Sequence, residues 1–156
     1  MTPPDRQALV ALIREAFSSV ILEDGIGLRE AQGIDDYADE QTCAAYRAND
    51  EKLDWSRIPI DELNACYSSL SFFDAKGMRF HLPAFLIAEL SGEYHQDMSL
   101  QLAYLNDYSI AQYGLLSPAQ RAAVRAYLQF ILRDPRYGFS HPEVRRALDE
   151  YWTDRI

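Results

Sequence analysis

Nowhere in this 156-residue chain do apolar and polar side chains alternate for long enough to make a half-buried strand. Apolar residues return instead at every third or fourth position from one end to the other, and that period confines the chain to helices. No Asn-Gly or Asp-Gly turn stands between alternating runs; Asp24-Gly25 closes a helical stretch. The expectation is an all-α, single-domain bundle of six to eight helices over residues 1–156, with no internal repeat and no flexible linker.

The clearest helix start is Ser117-Pro118-Ala119-Gln120, which joins a capping serine, a first-turn proline and a glutamine at the capping-box position. Val124, Tyr127, Leu128, Ile131 and Leu132 then mark a buried face, and Asp134-Pro135 stops it. Thr2-Pro3-Pro4-Asp5 opens a helix through Leu9, Leu12, Ile13, Ala16, Phe17 and Val20 to about Leu22, where a glycine can take the left-handed cap. A helix over residues 36–47 is expected, with Ile34, Tyr37, Ala38, Ala44, Ala45 and Tyr46 as a thin apolar stripe and most of the acid on its polar face. Trp55 plugs into the core ahead of a short helix from Pro59 to Tyr67, whose buried edge is expected to be Ile60, Leu63, Cys66 and Tyr67. Asp74 caps a strongly apolar helix that should kink or restart at Pro83 and end at Ser91-Gly92. Asp97 starts another that holds Leu100, Leu102, Tyr104, Leu105 and Tyr108, and Ser140-His141-Pro142-Glu143 starts the last, which buries Val144, Leu148, Tyr151 and Trp152.

Charge divides the chain. Residues 1–75 hold 15 Asp/Glu against 6 Lys/Arg, residues 76–156 hold 9 of each, and the formal net charge of −9 therefore belongs to the first half. The excess narrows to residues 23–62, with 12 acidic and 4 basic. Such a surface repels phosphates, which argues against nucleic acid and against anionic membranes. The arginines Arg121, Arg125, Arg133, Arg136, Arg145 and Arg146 are offset by Asp134, Glu143, Asp149 and Glu150, and read as a solvated face. No apolar run approaches the ~20 residues that span a bilayer, and the N-terminus has no basic, apolar signal pattern. A cytoplasmic, bacterial protein is the expectation. Cys43 and Cys66 fit no metal or redox spacing and read as reduced thiols, with a disulfide the alternative.

Chemistry-bearing motifs are absent: no nucleophile elbow, P-loop, dinucleotide fingerprint or His-Glu-x-x-His occurs. His81, His95 and His141 are scattered, and Glu93-x-His95 is too short a pattern for zinc. Neither a cofactor nor a metal is implied.

Two stretches carry a resemblance. Leu70-Ser71-Phe72-Phe73-Asp74-Ala75-Lys76-Gly77-Met78-Arg79-Phe80-His81-Leu82-Pro83-Ala84-Phe85-Leu86 resembles a motif of a small bacterial family of unassigned function, in which an aromatic residue, one further residue, Leu-Pro-Ala and another aromatic follow one another. Leu115-Leu116-Ser117-Pro118-Ala119-Gln120 resembles that family's later helix start, and Trp55 its mid-chain tryptophan. The likeness covers roughly residues 55–132, implies a helical fold and brings no catalytic residues.

Asp35/Asp39 and Asp36/Glu40 would stand one turn apart on the expected helix, a repulsion of a few tenths of a kcal/mol per pair that invites a use. A solvated face, a cationic protein partner and a divalent ion are the alternatives; the spacing is not that of a calcium loop. The preferred functional reading is a non-enzymatic binding protein of the immunity or antitoxin type that covers a basic toxin or effector. Asp35, Asp36, Asp39, Glu40, Asp50, Glu51 and Asp54 would supply the charge, with Tyr37, Tyr46 and Trp55 as anchors. A structural or regulatory homo-oligomer is one alternative. An enzyme with a dispersed carboxylate or histidine site is the other, and it requires a pocket lined by His81, His95 or paired acids.

Overall fold

The structure, a computed structural model, describes residues 3–153, with side chains from Asp5 onward. Among the described residues every regular element is helical. The α-helices are α1 (Pro3–Ala16), α2 (Leu28–Asp35), α3 (Glu40–Asn49), α4 (Ile60–Ala65), α5 (Ala75–Leu90), α6 (Met98–Ala103), α7 (Asp107–Gln112), α8 (Pro118–Leu132) and α9 (His141–Glu150). Short 3-10 turns lie at Trp55–Arg57, Tyr67–Ser71 and Pro135–Ser140. The all-α expectation holds. Six of the helices span eight residues or more, while α4, α6 and α7 have six each.

Helix α5 sits at the centre. Twelve of its 16 residues are buried, so it is apolar nearly all round, as a helix enclosed by others must be. Asp74 caps it by accepting from Gly77 N at 2.8 Å. The expected restart at Pro83 does not occur, and the helix runs through it. An interior proline costs about 3 kcal/mol in an isolated helix, but burial of the residues on both sides of Pro83 outweighs the missing donor here. Around α5, α1 packs against α8, α9 closes on α6 and α8, and α2 pairs with α3 above the Tyr67–Ser71 turn. Buried apolar side chains from Leu9 to Trp152 form one cluster.

Several boundaries differ from the periodicity. The proposed cap Thr2 lies outside the described residues. Helix α1 stops at Ala16, yet Phe17, Val20 and Leu22 stay buried because the following turns are tied from elsewhere. Leu22 N donates to Lys52 O at 2.9 Å and Trp55 Nε1 to Phe17 O at 2.8 Å. The left-handed residue there is Glu23 (φ 58°) and not a glycine. Gly25 is required for another reason: a Cβ on it would lie 2.7 Å from Lys76 Cβ. The expected helix at residues 97–108 is divided, because Asn106 forms a capping box with Ser109 and begins α7 anew. The helix expected at residues 36–47 begins four residues later, at Glu40, where Asp39 caps α3.

Candidate functional site

The helix expected over residues 36–47 starts only at Glu40, as α3, and its first turn is taken by a reversal that follows α2. Asp35 is the last residue of α2, Asp36 its C-cap, and Asp39 and Glu40 the N-cap and first residue of α3. The four carboxylates therefore share no helix face, and the one-turn repulsion inferred from sequence does not arise. Asp39 is explained by local structure: its carboxylate accepts from Thr42 N at 2.7 Å, and the Thr42 side chain and backbone N–H together hold its pKa below the usual value. Glu40 sits at the positive end of α3, which also suits it. Asp35 and Asp36 are at the wrong end. They stand at the negative terminus of α2, where carboxylates are unfavourable. Among the described residues neither is in an ion pair, and Asp36 only accepts from Gln32 Nε2 at 3.2 Å. Between the pairs projects Tyr37, 95% exposed and in the left-handed region at φ 60°.

The other sequence candidates are placed elsewhere. Asp50 caps α2 from 20 residues further along the chain, its Oδ1 accepting from Arg29 N at 2.9 Å and its Oδ2 from Glu30 N at 3.1 Å. Burial raises its pKa despite those two bonds. Glu51 accepts from Leu53 N and Asp54 N at 3.1 and 3.0 Å, and Asp54 caps the next turn by accepting from Ser56 N at 3.0 Å. Tyr46, Asp50 and Glu51 do meet, at a cavity of about 400 Å³ that Arg29, Arg57 and Glu62 also line. Trp55 is buried at 4% exposure, with its indole N–H taken by Phe17 O, so it anchors the core and cannot anchor a partner. Asp54 and Trp55 are thus structural, and Asp50 and Glu51 are first of all caps.

Much of the remaining acid of residues 23–62 is neutralised inside the molecule. Glu23 pairs with Arg79 at 2.6 Å, Asp24 with Lys76 at 2.5 Å, Glu62 with Arg29 at 2.5 Å and Glu30 with Arg47 at 3.5 Å. What is left facing outward near Tyr37 is a small group of acids, not a broad acidic face. Among the described residues no group of three or more His, Cys, Asp or Glu is arranged to hold a metal ion. Both cysteines are free thiols, and burial pushes Cys66 up to about 11.

The sequence pattern of DUF6714, a family of unknown function, matches residues 5–156. The chain belongs to DUF6714. No curated protein and no solved structure matches it. The family match runs well past residues 55–132 on both sides, so the acidic portion and the tyrosine-rich C-terminal part both lie within it. Of the stretches that carried the resemblance, the one with Leu82-Pro83-Ala84 forms α5 and the one with Ser117-Pro118 the start of α8, where Ser117 Oγ accepts from Gln120 N at 3.1 Å. Both are architectural.

One cluster of this DUF6714 chain went unread in the sequence. Glu89, 8% exposed near the end of α5, accepts from the Tyr127 hydroxyl of α8 on Oε1. On Oε2 it accepts from the Tyr137 hydroxyl at 3.1 Å and from Met98 N at 3.2 Å. All three donors favour the anion, but burial outweighs them and pushes Glu89 up to about 7. The signal was present: a lone acid within Phe85-Leu86-Ile87-Ala88-Glu89-Leu90 must have partners if that helix is interior. Glu89 borders a cavity of about 520 Å³ together with His95, Asp97, Arg6 and Arg136. His81 is not part of it. That histidine is fully buried, stacked on Phe73 at 4.3 Å, with Nδ1 2.7 Å from Gly77 O and Nε2 unpartnered, and burial pushes it down to about 4.

Proposed function

We propose that this protein is a non-enzymatic binding module, of the immunity or antitoxin type, that engages a basic protein such as a toxin or effector through the α2–α3 turn. The observation that supports this most is the placement of Asp35 and Asp36. They carry uncompensated negative charge at a helix C-terminus, beside a tyrosine held outward in a strained conformation. Fold stability gains only the Gln32–Asp36 bond from these three side chains. A cationic partner would gain from all of them, since tyrosine is a preferred anchor and carboxylates steer a positive surface into contact.

The test is to isolate the basic partner from the native host and follow its association with Asp36→Lys/Glu40→Lys and with Tyr37→Ala. The double reversal is expected to slow association roughly tenfold at low salt, and the tyrosine variant to speed dissociation. Melting should move by no more than about 2 °C, because Lys at residue 36 suits the α2 dipole while Lys at residue 40 offends that of α3. A partner that binds all three proteins alike, at any salt, rules the reading out.

The Glu89 cavity favours a second reading, that of an acid–base enzyme, since it brings together His95, Asp97 and a carboxyl group tuned near neutrality. Turnover of simple carboxylic esters, phosphoric esters or glycosides that vanishes in Glu89→Gln supports it. Equal inactivity of both proteins leaves the first reading alone.

A further inference from the structure

Two adjoining depressions, of about 390 and 300 Å³, share Ser71, Asp97 and Gln101 as lining residues. Together they form a trough bordered by the Tyr67–Ser71 turn on one side and by α6 and the start of α7 on the other. Tyr67, Tyr104 and Tyr108 stand along it at 50, 59 and 56% exposure. The sequence periodicity had placed Tyr67 on a buried helix edge; the chain leaves the helix at Cys66 and turns it outward.

The charge of this trough is unlike that of the two cavities described above. The cavity beside Tyr46 contains Arg29 and Arg57, and that beside Glu89 contains Arg6 and Arg136. Among the described residues neither half of the trough is lined by a Lys or Arg, and the charged ones that line it are Asp35 and Asp97. Its walls are also fixed in advance. The Tyr108 hydroxyl donates to Ser71 O at 2.7 Å, and Gln112 Nε2 donates to Leu70 O and Phe73 O at 3.0 and 2.9 Å. Asp97 is held by accepting from Ser99 N and Leu100 N at 3.0 and 3.2 Å. Binding there would order little that is not already ordered.

We propose that this tyrosine-lined trough seats an extended, arginine-bearing segment of the basic partner, an inference that rests on the binding reading above. Guanidinium groups stack on tyrosine faces, their methylene stems cover the ring edges, and Asp35 and Asp97 supply the counter-charge. The Gln101 and Asn106 amides can pair with the backbone of an extended chain. Among the described residues an acidic segment would find two carboxylates and no cation there. Asp35 links the two surfaces, since it lines the trough and lies two residues before Tyr37. One partner can therefore meet the acidic turn and the trough at once.

The experiment titrates the full-length protein with the amidated peptide Gly-Arg-Gly-Arg-Gly and, separately, with Gly-Glu-Gly-Glu-Gly, following backbone amide shifts by NMR. The arginine peptide is expected to give saturable shifts at Tyr67, Ser71, Gln101 and Tyr104, and the glutamate peptide none. Tyr67→Ala and Tyr104→Ala, at residues exposed enough to leave the fold intact, should each weaken binding about threefold. Asp35→Asn, which keeps the side-chain shape, should weaken it as well. Asp36→Lys/Glu40→Lys should leave the location of the shifts unchanged. Shifts confined to the α2–α3 turn overturn the trough but leave the binding reading standing. An equal response to both peptides, or no saturable response, overturns the trough too. Failure of the binding reading shows itself separately, in a natural partner indifferent to reversal at the turn.

Discussion

Tyr37 is the residue at which stability and the proposed role pull apart. A side chain in the left-handed region costs about 1 kcal/mol that glycine would not incur. The left-handed backbone closes α2, with Tyr37 N donating to Ile34 O at 3.2 Å and Ala38 N to Gly33 O at 2.9 Å, but glycine would do the same, and the ring, 95% exposed, adds nothing to the fold. Tyr37→Gly is therefore expected to raise the melting temperature by a few degrees while weakening partner binding as much as Tyr37→Ala does. Calorimetry beside a binding assay checks both halves. A glycine variant no more stable than the parent would mean that the turn carries no strain. Trp55 shows the opposite case. Its aromatic bulk was read equally as core and as anchor, and a single bond, from its indole N–H to Phe17 O, settles it as core.

At the scale of elements, what was legible depended on how far away each cap lies in the chain. Helix α8 was readable from four consecutive residues because Ser117 and Gln120 satisfy each other across three positions. Helix α2 was not readable. Its first-turn amides at Arg29 and Glu30 are satisfied by Asp50, and no local pattern can announce a partner 20 residues away. The same remoteness disguised the acids: a run that looks like a charged face contains residues whose carboxylates serve as caps. Asp50→Ala is accordingly expected to cost about 1–2 kcal/mol, seen as a lower urea midpoint, because it leaves two amides without an acceptor. Gly27→Ala should do similar harm from the other side, since its Cβ would stand 2.3 Å from Asp50 Oδ2. Equal midpoints for Asp50→Ala and the parent would show that water caps α2 just as well. The trough was illegible for a related reason: it is assembled from the Tyr67–Ser71 turn, α6 and α7, and helical periodicity assigned its tyrosines to helix faces that the chain does not form.

Across the whole molecule, two buried ionisable groups on α5 give stability opposite dependences on pH. Glu89 titrates near 7 when folded and near 4.5 when unfolded, so its contribution is present below about 4.5 and is lost as pH rises through 7. Half-buried Asp50, also raised, adds in the same direction. His81 titrates near 4 when folded and near 6.5 when unfolded, because a second proton would sit on Nε2 with no acceptor in an apolar site. Its contribution is present above about 6.5 and is lost as pH falls toward 4. Between these limits the folded state takes up a proton at Glu89 that the unfolded state lacks, and lacks one at His81 that the unfolded state holds. The two slopes oppose each other, and the unfolding free energy of the parent protein should be nearly level from pH 5 to 6.5. Each substitution should expose the other slope. Glu89→Gln is expected to gain stability as pH rises over that range, and His81→Leu to lose it, with each change reaching about 2 kcal/mol. The double variant should be level again, though less stable throughout, because it lacks both the Tyr127 and Tyr137 ties to a carboxylate and the histidine stack on Phe73. Urea titrations at three pH values in that range measure the slopes directly. Parallel slopes in the two single variants would mean that other groups govern the pH response.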